Sequence, residues 1–164
     1  MHAQPGRLVC GGQTYRCALG RNGVSESKRE GDGATPAGRF PLRRVLYRAD
    51  RVAVPLTALP TAPITPDDGW CDAPEDPKYN RLVKIPYQAS AENLWREDNL
   101  YDIVVVIGHN DHPAVANAGS AIFLHVAPPE GAPTQGCVAL ALEDLRAVLR
   151  TLGPAGVIDI HAAR

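Results

Sequence analysis

The sequence predicts a mainly β domain with a few helices, built as a β-sandwich or mixed sheet with a helix near the C-terminus. Three observations carry this. Fifteen Gly and fifteen Pro are scattered along the chain as turn signals, which suits many short strands joined by loops. The run Tyr101-Asp102-Ile103-Val104-Val105-Val106-Ile107-Gly108 is β-branched and apolar at successive positions, so it reads as a central strand buried on both faces. Leu142, Leu145, Val148, Leu149 and Leu152 recur at helical spacing, and Gly153-Pro154 closes that helix.

In chain order, Arg7 to Cys10 and Gln13 to Leu19 form a hairpin around Gly11-Gly12. Its register sets Cys10 against Gln13 and Cys17 against Gly6, so Cys10 and Cys17 are not cross-strand partners. Gly20 to Gly38 is a long polar segment whose glycines at 31, 33 and 38 permit tight turns; a loop of that length in a small domain is often functional. Arg39 to Tyr47 is a strand, and Arg51 to Leu56 a shorter one that Pro55 confines to an edge or an end. Ile64 to Tyr87 is loop-rich, with Gly69-Trp70-Cys71-Asp72 and Lys78-Tyr79-Asn80-Arg81 either lining a cleft or packing on themselves. Ser90 to Trp95 reads as a short helical turn with a Ser cap. Ala121 to Val126 is a second buried strand, and Val157 to His161 closes the chain.

The 164 residues are 45% hydrophobic and 21% charged with a net charge of −1, which suits one domain over 1–164 and gives no electrostatic reason to expect nucleic acid as a partner. No stretch reaches the length of a membrane span, and the N-terminus has no basic segment followed by an apolar run. The chain as written is therefore expected in the cytoplasm, or in the periplasm if a leader has been removed. The four cysteines are expected as reduced thiols, and the lack of a Cys-x-x-Cys pair leaves no structural zinc site of the usual spacing.

Chemistry concentrates at the end of the second buried strand. Ser120-Ala121-Ile122-Phe123-Leu124-His125 places an imidazole at a strand end, and Thr134-Gln135-Gly136-Cys137-Val138 places a thiol after a glycine, twelve residues on. A cysteine nucleophile needs a nearby imidazole to take its proton. A free cysteine is equally a small buried hydrophobe and a lone histidine a satisfied core residue, so the pair defines a candidate site only. His109 and His112, three apart after a strand, offer a different chemistry: with His125 or Cys137 they would make a metal-binding hydrolase.

The order and number of these motifs resemble the L,D-transpeptidase (YkuD-like) catalytic domain family in its short bacterial branch. The resemblance runs from about residue 28 to the C-terminus. It rests on Lys28-Arg29-Glu30-Gly31-Asp32-Gly33 with Thr35-Pro36-Ala37-Gly38, Gly69-Trp70-Cys71-Asp72, Tyr79-Asn80-Arg81, Leu94-Trp95-Arg96-Glu97-Asp98, Gly108-His109-Asn110-Asp111, Gly119 to His125 and Thr134 to Leu140. It implies a cysteine-dependent acyltransferase acting on peptidoglycan stem tetrapeptides. Cys137 attacks the carbonyl between a diamino acid and the terminal D-alanine, D-alanine leaves, and an amine resolves the acyl-enzyme. The alternative is an L,D-carboxypeptidase that trims muropeptides in recycling with water as acceptor. A non-catalytic glycan- or peptide-binding domain on the same fold is disfavoured by the intact Cys and His.

The resemblance implies Cys137 as nucleophile and His125 as base, with Gly136 letting the backbone approach and amides around Gly136 and Cys137 receiving the oxyanion. Trp70, Tyr79, Asn80, Arg81, His109, Asn110, Ser120 and Gln135 are its substrate-binding candidates, with Ser120 also a candidate to assist His125. Neither metal nor other cofactor is implied, and the partners are stem peptides or muropeptides met by a monomer. One departure stands out: many members carry arginine two residues after the cysteine, associated with carboxylate or oxyanion binding, and this chain has Ala139. Arg81, Arg96 and Arg29 are the alternative cations, since guanidinium pairs with carboxylate through two parallel hydrogen bonds.

Overall fold

A computed structural model describes residues 1–4, 6–128 and 130–162. Strands β1 (His2–Gln4), β2 (Arg7–Cys10) and β3 (Gln13–Tyr15) form the opening meander, and Cys10 pairs with Gln13 as the glycine turn requires. The hairpin arm does not continue to Leu19. It breaks after Tyr15, and β4 (Cys17–Ala18) leaves to pair with a different strand, although the Cys17 N–H still reaches the Gly6 carbonyl at 3.4 Å. The long polar segment holds β5 (Val24–Ser25) and β6 (Thr35–Pro36), paired in parallel, before β7 (Gly38–Tyr47) runs through the sheet.

Arg51 to Leu56 is not a strand. Val54 and Leu56 face solvent, and the Arg51 guanidinium turns to the carbonyls of Glu97 and Asp98 and to the Asp102 carboxylate, so no sheet face claims the segment. Next come β8 (Thr61–Pro63), β9 (Asp68–Cys71), β10 (Leu82–Lys84) and β11 (Ala91–Asn93). The last of these corrects the helical turn expected at Ser90 to Trp95: β9 lies between β10 and β11 in a small three-stranded sheet, and that pairing overrides local helix signals. Then follow β12 (Ile103–Ile107), β13 (Phe123–Val126), β14 (Val138–Leu140), α1 (Leu142–Thr151) and β15 (Val157–Ile160).

Among the described residues the main sheet has ten strands, in the order β3-β2-β1-β15-β7-β12-β13-β14-β4, with β8 added alongside β7. Its two ends, β3 and β4, are joined by Arg16 alone, so the mixed sheet curls back on itself. Strand β12 is central and wholly buried, as its apolar run predicts. Ile103, Val105 and Ile107 face a core shared with Leu145, Val148 and Leu149 of α1, while Val104 and Val106 face a second core with Trp70, Leu94, Tyr101 and Phe123. Helix α1 has Glu143 and Asp144 in its first turn, where carboxylates favour the positive helix end.

Alternation along β13 then fixes where function can lie. Leu124 and Val126 point to the helix-side core, and Phe123 points to the side covered by the small sheet, where Trp70 meets its ring edge-on at 5.1 Å. His125, two residues from Phe123, shares that side. No helix among the described residues is long and apolar enough to cross a membrane.

Candidate active site

β13 and β14 run in parallel with Leu124 against Val138 and His125 against Ala139, so Cys137 comes level with Phe123, on the side of the sheet that His125 shares. Cys137 and His125 line one cavity of about 550 Å³. All four cysteines are free, as expected, and Cys137 is buried.

The loop before Cys137 is held from both sides. The Thr134 N–H donates to the Leu19 carbonyl and the Arg21 N–H to the Thr134 carbonyl, each at 2.9 Å, which clamps the loop to the start of the glycine-rich segment. The Thr134 hydroxyl donates to the Cys137 carbonyl at 2.6 Å and accepts from the Gly136 N–H at 3.1 Å. Gly136 has φ +139, and a Cβ there would lie 2.9 Å from the Ala34 carbonyl oxygen, so only glycine fits between the two loops. The Gly136 N–H is thus engaged by Thr134 rather than free for an oxyanion.

His125 Nδ1 lies 2.8 Å from the Val126 carbonyl oxygen. A carbonyl only accepts, so this contact puts the ring proton on Nδ1 and leaves the lone pair on Nε2, the arrangement a general base needs. The group orienting the imidazole is therefore a backbone carbonyl, and Ser120 does not serve: its hydroxyl donates to Glu30 at 2.7 Å. Tyr101 packs edge-on against the imidazole at 5.4 Å, and its hydroxyl donates to Glu92. The Cys137 thiol donates to the Ala121 carbonyl at 3.2 Å, and its sulfur accepts from the Phe123 N–H at 3.3 Å.

Burial dominates the electrostatics. It pushes the Cys137 thiol up to about 12, helped by the negative charge of Glu92 and opposed by the Phe123 N–H and Lys28. It lowers His125, joined by the positive charge of Arg96 and opposed by the carbonyls of Val126 and Leu100 and by the Asp98 carboxylate. The resting pair is a neutral thiol and a neutral imidazole. Burial likewise raises Glu92.

Of the substrate-binding candidates, Ser120 and Gln135 line the cavity. Trp70, Tyr79, Asn80, Arg81, His109 and Asn110 do not, and most of them brace it. The Asn80 side chain ties four points together: its Oδ1 accepts from Trp70 Nε1 (2.9 Å) and the Ala121 N–H (3.1 Å), and its Nδ2 donates to the carbonyls of His109 (3.0 Å) and Asn110 (2.8 Å). Tyr79 donates to Glu30 and accepts from the Gly119 N–H. Asn110 Nδ2 donates to the carbonyls of Val115 and Gly119. Arg81 is exposed.

Sequence reasoning missed Lys28, Glu30, Asp72, Glu92 and Tyr101, all on the cavity wall. Lys28, Glu30 and Asp72 sit in motifs whose side chains could not be aimed without the fold, and Glu92 and Tyr101 lie outside every motif. His109 Nε2 is spent on the Ala118 carbonyl at 2.8 Å, and His112 is exposed beside Asp111. Among the described residues no three His, Cys, Asp or Glu side chains converge as metal ligands.

A curled mixed sheet that presents a thiol and an oriented imidazole to one cleft has the parts of an acyl-transfer site. The sequence profile of the L,D-transpeptidase catalytic domain (YkuD) matches residues 7–160, nearly the whole chain, and the protein belongs to that family of enzymes. No curated protein sequence matches it.

Proposed function

We propose that the protein is a peptidoglycan L,D-transpeptidase that acts on stem tetrapeptides through a Cys137 acyl-enzyme and releases D-alanine. Family membership supports the reaction class. The observation that carries the residue roles is the Val126 carbonyl on His125 Nδ1, which leaves Nε2 as the basic ring nitrogen of the cavity that Cys137 also lines. The S–H rotates from the Ala121 carbonyl toward Nε2, and the imidazole takes the proton as sulfur attacks the carbonyl between the third residue and D-alanine. The C–N bond breaks and the imidazolium returns its proton to the leaving amine. An amine then attacks the thioester, His125 takes the acceptor's proton, and Cys137 leaves as a thiol. Water in place of the amine gives the L,D-carboxypeptidase reaction on recycled muropeptides.

Incubating the purified protein with disaccharide tetrapeptide and resolving the products by mass tests the reading. A cross-linked dimer with free D-alanine supports transpeptidation. Disaccharide tripeptide with free D-alanine supports the carboxypeptidase. Neither product after long incubation, with intact protein, removes the proposal.

A further inference from the structure

The cavity that holds Cys137 and His125 also carries three carboxyl groups, from Glu30, Asp72 and Glu92, and two cations, Lys28 and Arg96. Glu30 is bound by Tyr79 and Ser120, and Glu92 by Tyr101. Lys28 closes back on its own loop, donating to Asp32 and to the Arg29 carbonyl, and its side chain is 6% exposed. Arg96 differs: its side chain is 35% exposed.

The segment carrying Arg96 is fixed before any ligand arrives. Arg48, buried against the Trp95 ring at 3.5 Å, donates Nη1 to the Arg96 carbonyl at 2.7 Å. Arg51 donates to the carbonyls of Glu97 (3.1 Å) and Asp98 (2.7 Å). The Arg96 guanidinium is then aimed by Asp98, which accepts from Nε at 2.9 Å and Nη2 at 2.6 Å, and by the Tyr101 ring, 5.2 Å below it. That same ring packs against His125. This leaves Nη1 and its two N–H groups without a hydrogen-bond partner among the described residues. Arg29 and Arg81, the other cations the sequence offers, are exposed and do not line the cavity. Ala139, beside His125 in register, is buried and carries no charge.

We propose that Arg96 is a specificity-determining residue that holds a carboxylate of the substrate peptide through Nη1, an assignment that rests on the peptide reading above. A guanidinium pinned at its backbone, with one edge used by Asp98 and another free, gives a carboxylate a fixed place at little entropic cost. Of the carboxylates on a stem tetrapeptide, two flank the bond that is cut and are the ones this assignment concerns: the C-terminal one on the leaving D-alanine and, where the third residue is a diamino diacid, the one on its side chain.

The experiment compares wild type, Arg96→Gln and Arg96→Lys on three substrates: disaccharide tetrapeptide, its C-terminal amide, and the form amidated at the side-chain carboxyl of residue three. The expected result on the free acid is a loss in kcat/KM on the order of ten- to a hundredfold for Arg96→Gln, with partial retention in Arg96→Lys. On one of the amides, wild type has already lost that factor and Arg96→Gln loses nothing more; which amide behaves so names the carboxylate. Equal losses for Arg96→Gln on all three substrates overturn the assignment while leaving the reaction standing. No turnover of the free acid by wild type overturns the reaction and the assignment with it. Thermal melts show which variants are folded. Should Arg96→Gln fail to fold, Arg96→Lys carries the same comparison, since its weaker hold on a carboxylate also disappears with the matching amide.

Discussion

His125 donates its Nδ1 proton to the carbonyl of Val126, its own neighbour on the strand, across 2.8 Å. A neutral acceptor orients the ring without offering a negative charge to an imidazolium, and burial lowers the basicity of the ring further. The acid limb of kcat/KM, which reports the free enzyme's base, is therefore expected below pH 6.5, the ordinary histidine value. His125→Ala removes that limb and lowers kcat/KM by about a hundred- to ten-thousandfold. A limb above pH 6.5 in wild type would contradict a buried, neutral base.

The thiol should be slow until substrate arrives. A cysteine beside a histidine suggests a preformed thiolate that labels quickly at pH 7, yet the Cys137 proton rests on the Ala121 carbonyl and burial raises the thiol to about 12. Iodoacetamide labelling of Cys137, followed by peptide mass, is expected to rise steadily through pH 9 with no plateau near neutrality. A plateau below pH 7 that vanishes in His125→Ala would instead establish a resting thiolate–imidazolium pair.

The same burial makes the fold sensitive to alkali. Cys137 ionises near 9.0 when unfolded and at about 12 when folded, so the native state keeps a proton that the unfolded chain gives up. Its stabilisation is whole below pH 9 and is lost as pH rises from there toward 12; the full difference is about 4 kcal/mol. Urea midpoints measured at pH 7.5, 9 and 10.5 should fall less steeply in Cys137→Ala than in wild type. Parallel decline in the two proteins would show that this thiol is not the group responsible.

How much of this was legible in the sequence depended on range. The β12 run and the α1 periodicity are local patterns, and the structure follows both. The hairpin register at Cys10 and Gln13 was legible for the same reason, because a two-residue turn dictates it. Failures came where distant chain decides. Ala91–Asn93 became a strand because β9 was there to pair with it, and Gln13 to Leu19 split because β14 took Cys17–Ala18. The site divides likewise. His125 and Cys137 stand out in two short motifs, whereas Glu92, Arg96 and Tyr101, all from one ten-residue stretch, reach the cavity only through the way that stretch packs in the fold. Asn80 was read as a ligand contact because it is polar and sits in a loop; its bonds are all internal.

Asn80 supports the last prediction. It sits at φ +59, a conformation asparagine tolerates better than most residues, and its amide holds Trp70, His109, Asn110 and Ala121 at one point. Ala121, itself at φ +52, presents the carbonyl that receives the Cys137 proton, so loosening Asn80 reaches Cys137 through one residue. Asn80→Ala leaves buried donors and acceptors unpaired and is expected to cost about 2 to 4 kcal/mol, read as a shift in urea midpoint at unchanged slope. Asn80→Asp keeps the acceptor for Trp70 and Ala121 but turns an oxygen toward the His109 and Asn110 carbonyls, so it should destabilise as well. Both should lower kcat/KM even at temperatures where they stay folded. Full activity in folded Asn80→Ala would mean that the Ala121 carbonyl holds its place without this bond, and that the left-handed turn is set by the Gly119-Ser120 backbone alone.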